Sequence, residues 1–205
     1  MKENIEEYLA AVVPGVHKVN VKEFGPKETL EFRQDVAGDK HTWRFLANNM
    51  SDGTLRVLGI LVALFQGNQK VEKRVTLVGI EEPEIALHPA AAGVLLDALR
   101  DAAYKKQVII TSHSPDLLDD KHLDVNSILA VEAHDGNTLI APVDKVGRSI
   151  MGDNLCTAGE LLRLDQFQPD PTQIPKGHGP KVEQLNLFDS NNSDPEKTKR
   201  KGTFE

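Results

Sequence analysis

The sequence predicts an α/β fold with a parallel sheet at its centre and a separate antiparallel β-layer, and three observations carry that expectation. Residues 75–80, V-T-L-V-G-I, form an apolar run rich in β-branched side chains, the composition of a strand buried on both faces of a parallel sheet. Residues 107–111, Q-V-I-I-T, read as a second parallel strand. Earlier, Val19 and Val21, Leu30 and Phe32, then Trp43 and Phe45 alternate with polar neighbours. That is the period of three short antiparallel strands, with turns at Gly25-Pro26 and Gly38-Asp39.

The remaining elements follow in order. Ile5, Leu9 and Val12 fall at helical spacing within residues 4–13, and Pro14-Gly15 ends that helix. Trp43 reads as a packing residue of the β-layer. Ser51 is a good N-cap for a helix that is apolar nearly all round, with Leu55, Val57, Leu58, Ile60, Leu61, Val62, Leu64 and Phe65, and such a helix is expected to be buried. Residues 67–73 are a polar connection into the central strand. Pro89 suits the first position of a helix that runs to about Tyr104, with Val94, Leu95, Ala98 and Leu99 on one face. Ser114-Pro115-Asp116 opens another helix, residues 127–131 and 138–143 form a hairpin around 134–137, and residues 158–164 form a short helix. Beyond Asp170 prolines, glycines and polar residues take over, so the chain divides into a domain over 1–169 and a disordered tail over 170–205.

The chemistry gathers at the end of the central strand. Glu81 and Glu82 stand where Pro83 stops the ladder, and ligands of open α/β sheets bind at the carboxyl ends of strands. Glu81 can hold a hard cation such as Mg²⁺, directly or through water, and Glu82 can orient and deprotonate an attacking water. The plain alternative is a solvated acidic turn. Gly53 leaves backbone N–H groups uncovered at a helix N-terminus, which makes an anion site of Ser51-Asp52-Gly53; the plain alternative is a capped core helix. His113, just past the second parallel strand, can contact a phosphate or the attacking water, or it can sit in a capped turn.

The three motifs agree in order and spacing. Ser51-Asp52-Gly53-Thr54-Leu55-Arg56 precedes Glu81 by thirty residues, counted from Ser51, and His113, in T-S-H-S-P, follows Glu82 by thirty-one. Together with E-E-P-E-I-A-L-H-P at residues 81–89, this set resembles the second half of an ABC-type ATPase head of the RecF, SMC and OLD-like group, and most closely the stand-alone "AAA ATPase core" proteins of bacteria. The resemblance covers Met1 to about Asp170. It implies a partial P-loop NTPase fold of the ABC class, with ATP and Mg²⁺ as cofactors and ATP hydrolysis as the activity. Glu81 would hold Mg²⁺ as the Walker B acid, Glu82 would be general base, and His113 would sense the γ-phosphate. Ser51, Asp52, Gly53 and Arg56 would form the signature facing nucleotide held by a partner, with Arg56 either supporting the helix start or reaching the nucleotide, and Leu87 and His88 would lie at the interface between two associating heads. His88 reads equally as a helix cap. Many members of the group have Asp where Glu81 stands, and the extra methylene bears on direct metal ligation. Roles in DNA repair or phage defence, and contact with DNA, are implied only indirectly.

The phosphate cradle itself is missing. No Gly-Lys dipeptide occurs, so the G-x-x-x-x-G-K-[ST] pattern is absent. The chain is then a fragment, or one half of a split ATPase whose partner brings the P-loop, or a diverged module. The expected partners are therefore a P-loop-bearing half or a full-length homologue, in a homodimer-type head association. Readings of other classes are a non-enzymatic adaptor and a divalent-metal nuclease using Glu81, Glu82, Glu84 and His113. The adaptor reading rests on Gln184, Leu185, Leu187 and Phe188 in Q-L-N-L-F, which resembles the pentapeptide that binds the bacterial sliding clamp. The basic run Lys197, Lys199, Arg200 and Lys201 reads as a solvated tail or a weak nucleic-acid arm. A net charge of −7 argues against a globally basic nucleic-acid binder, and a single cysteine, Cys156, excludes an internal disulfide and any multi-cysteine zinc site. With no apolar leader at Met1 and no helix of spanning length, the expectation is a cytoplasmic protein away from membranes.

Overall fold

The computed structural model describes residues 1–66, 75–134 and 136–174, and these belong to one compact unit that runs to Ile174. Helix α1 (Lys2–Val12) leads into strands β1 (Val16–Phe24), β2 (Lys27–Gln34) and β3 (Trp43–Leu46), an antiparallel meander in the order β1-β2-β3. Its inner face carries Val16, Val19 and Phe32 into the core. Trp43 is half exposed, stacks on Phe45 and donates Nε1–H to Asp39 at 2.8 Å, so it does pack within the β-layer.

Helix α2 (Asp52–Phe65) packs on α1, on α3 (Ala92–Ala103) and on the strand that carries Glu81. Val57, Leu58, Ile60, Leu61 and Leu64 are buried, and a narrow stripe of Arg56, Gly59 and Val62 faces outward, so the helix is not covered on all sides. Strand β4 (Leu77–Glu81) and strand β5 (Gln107–Thr111) pair in parallel, Leu77 opposite Gln107 through Glu81 opposite Thr111. Between them, a 3₁₀ turn from Pro89 to Ala91 leads into α3 (Ala92–Ala103), whose Leu95, Ala98, Leu99 and Ala102 are buried; Pro89 therefore opens the turn and not the helix itself. The expectation of burial on both faces is corrected here. Val78 faces the core, but Leu77 and Ile109 are about half exposed, because the parallel sheet has two strands and one covering layer among the described residues.

The C-terminal third forms a second, smaller core. Helix α4 (Pro115–Leu118) is followed by the hairpin β6 (Leu129–His134) and β7 (Asn137–Pro142), then α5 (Lys145–Gly152) and α6 (Ala158–Arg163). Ile128, Ala130, Val143 and Ala158 make its centre, with Phe167 against them. Asp170 closes it. Its buried carboxylate receives Thr172 N–H and Oγ–H, Gln173 Nε2–H and Arg148 Nη2–H, while its own N–H bonds to Pro142 O. These donors hold the Asp170 carboxyl down to about 2, the Thr172 and Gln173 hydrogen bonds first and the Arg148 charge last. Among the described residues, no helix is long and apolar enough to cross a membrane.

Candidate functional site

The parallel pair places the acids. Glu81 ends β4 beside Thr111. The next residue, Glu82, donates its N–H to Thr111 O at 2.8 Å, one rung beyond the strand, and then turns with φ of 44°. A left-handed backbone costs a non-glycine residue about 1–2 kcal/mol, so the surroundings must enforce it. Pro83 is buried and takes the second position of the turn closed by Ile85 N–H to Glu82 O at 3.2 Å. A second turn, closed by Leu87 N–H to Glu84 O at 3.0 Å, puts Ala86 at φ of 65°, a corner that glycine usually fills.

His113 reaches this turn from the end of β5. Its Nδ1 lies 3.1 Å from Glu82 Oε1, and neither side chain is buried: His113 is 76% exposed and Glu82 30%. The carboxylate is therefore oriented by the imidazole yet still open to water. Glu84 points elsewhere. Ser112 Oγ donates to Glu84 Oε1 at 2.5 Å and accepts Ser114 N–H at 3.0 Å, which ties the loop after β4 to the loop after β5. Glu84 Oε2 is buried with no hydrogen-bond partner among the described residues. Of the quartet Glu81, Glu82, Glu84 and His113, the fold brings Glu82 and His113 together, and no cluster of three metal-ligating side chains occurs among the described residues.

The start of α2 packs against the same turn. Ser51 caps it, its Oγ accepting Thr54 N–H at 3.2 Å. Ser51 and Asp52 are exposed, whereas Gly53 is buried under the Ala86 carbonyl, and a Cβ on Gly53 would meet that oxygen well inside 3.0 Å. The glycine is thus required by backbone approach within this chain. Arg56 Nη2 donates to the carbonyls of Glu81 at 3.0 Å and Glu82 at 2.9 Å. Leu87 is half-buried and packs onto the core of its own chain, and His88 is exposed. Gln184, Leu185, Leu187 and Phe188, and the basic run at 197–201, lie outside the described residues.

Two contacts here had no counterpart in the sequence reading: the Arg56 bonds to backbone carbonyls and the Ser112–Glu84 link. Both end on groups whose position depends on the turn geometry, and no spacing in the sequence encodes them. The donor set also bears on the implied Mg²⁺. A hard cation carried by substrate phosphates needs only one or two protein carboxylates, and Glu81, exposed at the carboxyl end of β4, meets that need. The residues present fit such an ion and not one caged by protein alone.

Comparison with known proteins agrees with this architecture. Residues 18–119, about half of the chain, match the family described as "AAA domain, putative AbiEii toxin, Type IV TA system". Old nuclease of Escherichia phage P2 is 30% identical over 101 residues, which are 48% of this chain and 17% of that protein, so the chain spans about a sixth of that relative's length. Among solved structures, an SMC ATPase studied for ATP-driven dimerization and DNA-stimulated activation superposes with a TM-score of 0.52 at 14% identity, covering 75% of this chain and 89% of that one. The Smc head domain with a coiled coil and joint from Pyrococcus yayanosii gives 0.50 at 16% identity, covering 75% and 29%. The chain carries an ATPase-type domain of the ABC/AAA class.

Proposed function

We propose that this chain supplies the signature and acid side of an ATP-hydrolysing head and works against a P-loop-bearing half. The observation that carries the reading is the Glu82–His113 pair at 3.1 Å, at the carboxyl end of a parallel strand pair, with the capped start of α2 packed on the same turn. The half-exposed Leu77 and Ile109 support the partner, because parallel sheets are normally covered on both faces. Bound ATP with Mg²⁺ would supply the phosphoryl group and the charge that stabilises its transfer. Glu81 would meet the ion. Glu82 would take a proton from the attacking water at its carboxylate, while His113 fixes which oxygen faces the reaction. Ser51 and Asp52 would present the exposed start of α2 to nucleotide held by the other subunit.

Mixing the chain with a P-loop-bearing homologue and measuring phosphate release tests this. Activity should appear in the mixture and fall by about 10²–10⁴ in Glu82→Gln, with ATP-driven association retained. Full activity in the Gln variant would move the base to another residue. A second reading, the adaptor, rests on the Q-L-N-L-F sequence at 184–188. A peptide of residues 182–190 should bind purified sliding clamp with micromolar affinity, about −8 kcal/mol, and lose it when Leu187 and Phe188 become Ala. Roles in DNA repair or phage defence belong to the same proposal and rest on kinship with OLD and SMC proteins.

A further inference from the structure

We infer that Arg56 is a positioning residue for Glu82: it holds the left-handed turn that aims the carboxylate, and it does so through the backbone, without touching nucleotide. This deepens the proposed ATPase reading and rests on it for its kinetic consequence.

Three observations converge. Glu82 stands at φ of 44°, a conformation with no intrinsic preference for glutamate. The carbonyls on both sides of that strained residue's Cα–N link, Glu81 O and Glu82 O, are received by one Arg56 nitrogen at 3.0 and 2.9 Å. Arg56 is exposed and forms no ion pair among the described residues, so what holds its guanidinium is this pair of oxygens. Of the other backbone bonds at Glu82, the N–H bond to Thr111 acts on a different atom and the turn bond from Ile85 shares the Glu82 carbonyl with Arg56, but neither reaches the Glu81 carbonyl. Charge-assisted hydrogen bonds are about twice as strong as neutral ones, which suits a clamp on a conformation costing about 1–2 kcal/mol. The clamp also has a direction. Arg56 lies one turn beyond Ser51 on α2, and Gly53 of the same turn seats Ala86 at the far end of residues 81–87. The first two turns of α2 therefore grip the acid turn at both ends.

The test uses two variants of the full chain, Arg56→Met, which keeps length and removes the donors, and Arg56→Lys, which keeps the charge and a single donor nitrogen. In the chain alone, NMR couplings about φ of Glu82 should report a positive angle in wild type, its loss in Arg56→Met and its retention in Arg56→Lys. In the mixture with the P-loop half, kcat should fall about 10–100-fold in Arg56→Met with KM for ATP within about twofold of wild type, and Arg56→Lys should recover most of it. A positive φ retained in Arg56→Met overturns the inference, as does a rise in KM without a fall in kcat, which would make Arg56 a nucleotide contact. Should Arg56→Met unfold, Arg56→Lys decides: an unchanged Glu82 angle supports the clamp, and a lost angle with a folded chain overturns it. A wild-type mixture without ATPase activity would retire the proposed function, while the couplings measured on the chain alone would still decide the clamp.

Discussion

At Gly53 the sign of a substitution is set by one carbonyl. Replacing glycine by alanine inside a helix ordinarily stabilises by about 0.5–1 kcal/mol. Here the added methyl would meet Ala86 O inside any real Cβ contact distance, and that oxygen is backbone, fixed by its own turn. Overpacking of this kind costs about 1–3 kcal/mol, so Gly53→Ala should lower stability despite the better helix propensity. Urea denaturation of the two proteins decides it, and an alanine variant as stable as wild type would show that the turn gives way. Ala86 offers the complementary change. Its φ of 65° costs about 1–2 kcal/mol for alanine, against about 0.5–1 kcal/mol of extra chain entropy for glycine. Ala86→Gly should therefore be neutral or stabilising by up to about 1.5 kcal/mol. A clear loss in the same denaturation assay would contradict the left-handed assignment.

Single elements separate what sequence could reveal from what it could not. Strand β5 was legible to the residue, because an apolar β-branched run between Lys106 and Ser112 has one natural length. The three strands of the β-layer and the hairpin β6–β7 were legible through alternation and their glycine turns. Helix α5 was not, since Lys145–Gly152 is only eight residues long and its apolar positions, Val146, Ile150 and Met151, are too few to stand out; the signal that betrays it is Asp144, whose side chain caps the Gly147 N–H at 2.9 Å. In the site, Glu81, Glu82 and His113 were legible as residue types at the right strand ends. The positive φ of Glu82 was not, because glutamate does not advertise it. Beyond α6, Asp170 carries a pH prediction. Its folded pKa, about 2, lies below its ordinary value of 3.8, so its contribution to stability is complete above about 3.8 and is lost as pH falls toward 2. Asp170→Asn should melt earlier than wild type at pH 7, and the gap should close as pH falls through that window. A gap that persists unchanged at pH 2 would mean that Asp170 acts by shape and not by charge.

For the molecule as a whole, the distribution of groups predicts a division of labour. The exposed α2 start, Glu81 and the Glu82–His113 pair all face solvent, and no P-loop sequence is present to cradle phosphates. The chain alone should bind ATP-Mg²⁺ weakly and leave it intact; micromolar affinity by titration calorimetry on the monomer would contradict that. Open parallel strands also carry a consequence for timing. The rung from Glu82 N–H to Thr111 O is the last of the β4–β5 ladder, and ladder ends fray first. Any opening that parts these two strands takes Glu82, the proposed general base, with it, before the hydrophobic core notices. Amide deuteration should therefore find Glu82 exchanging at the rate of local opening, faster than Val78 or Ile80 in the same strand. Whatever slows that one amide, whether a nucleotide or a neighbouring subunit, will be acting as the lock on the site.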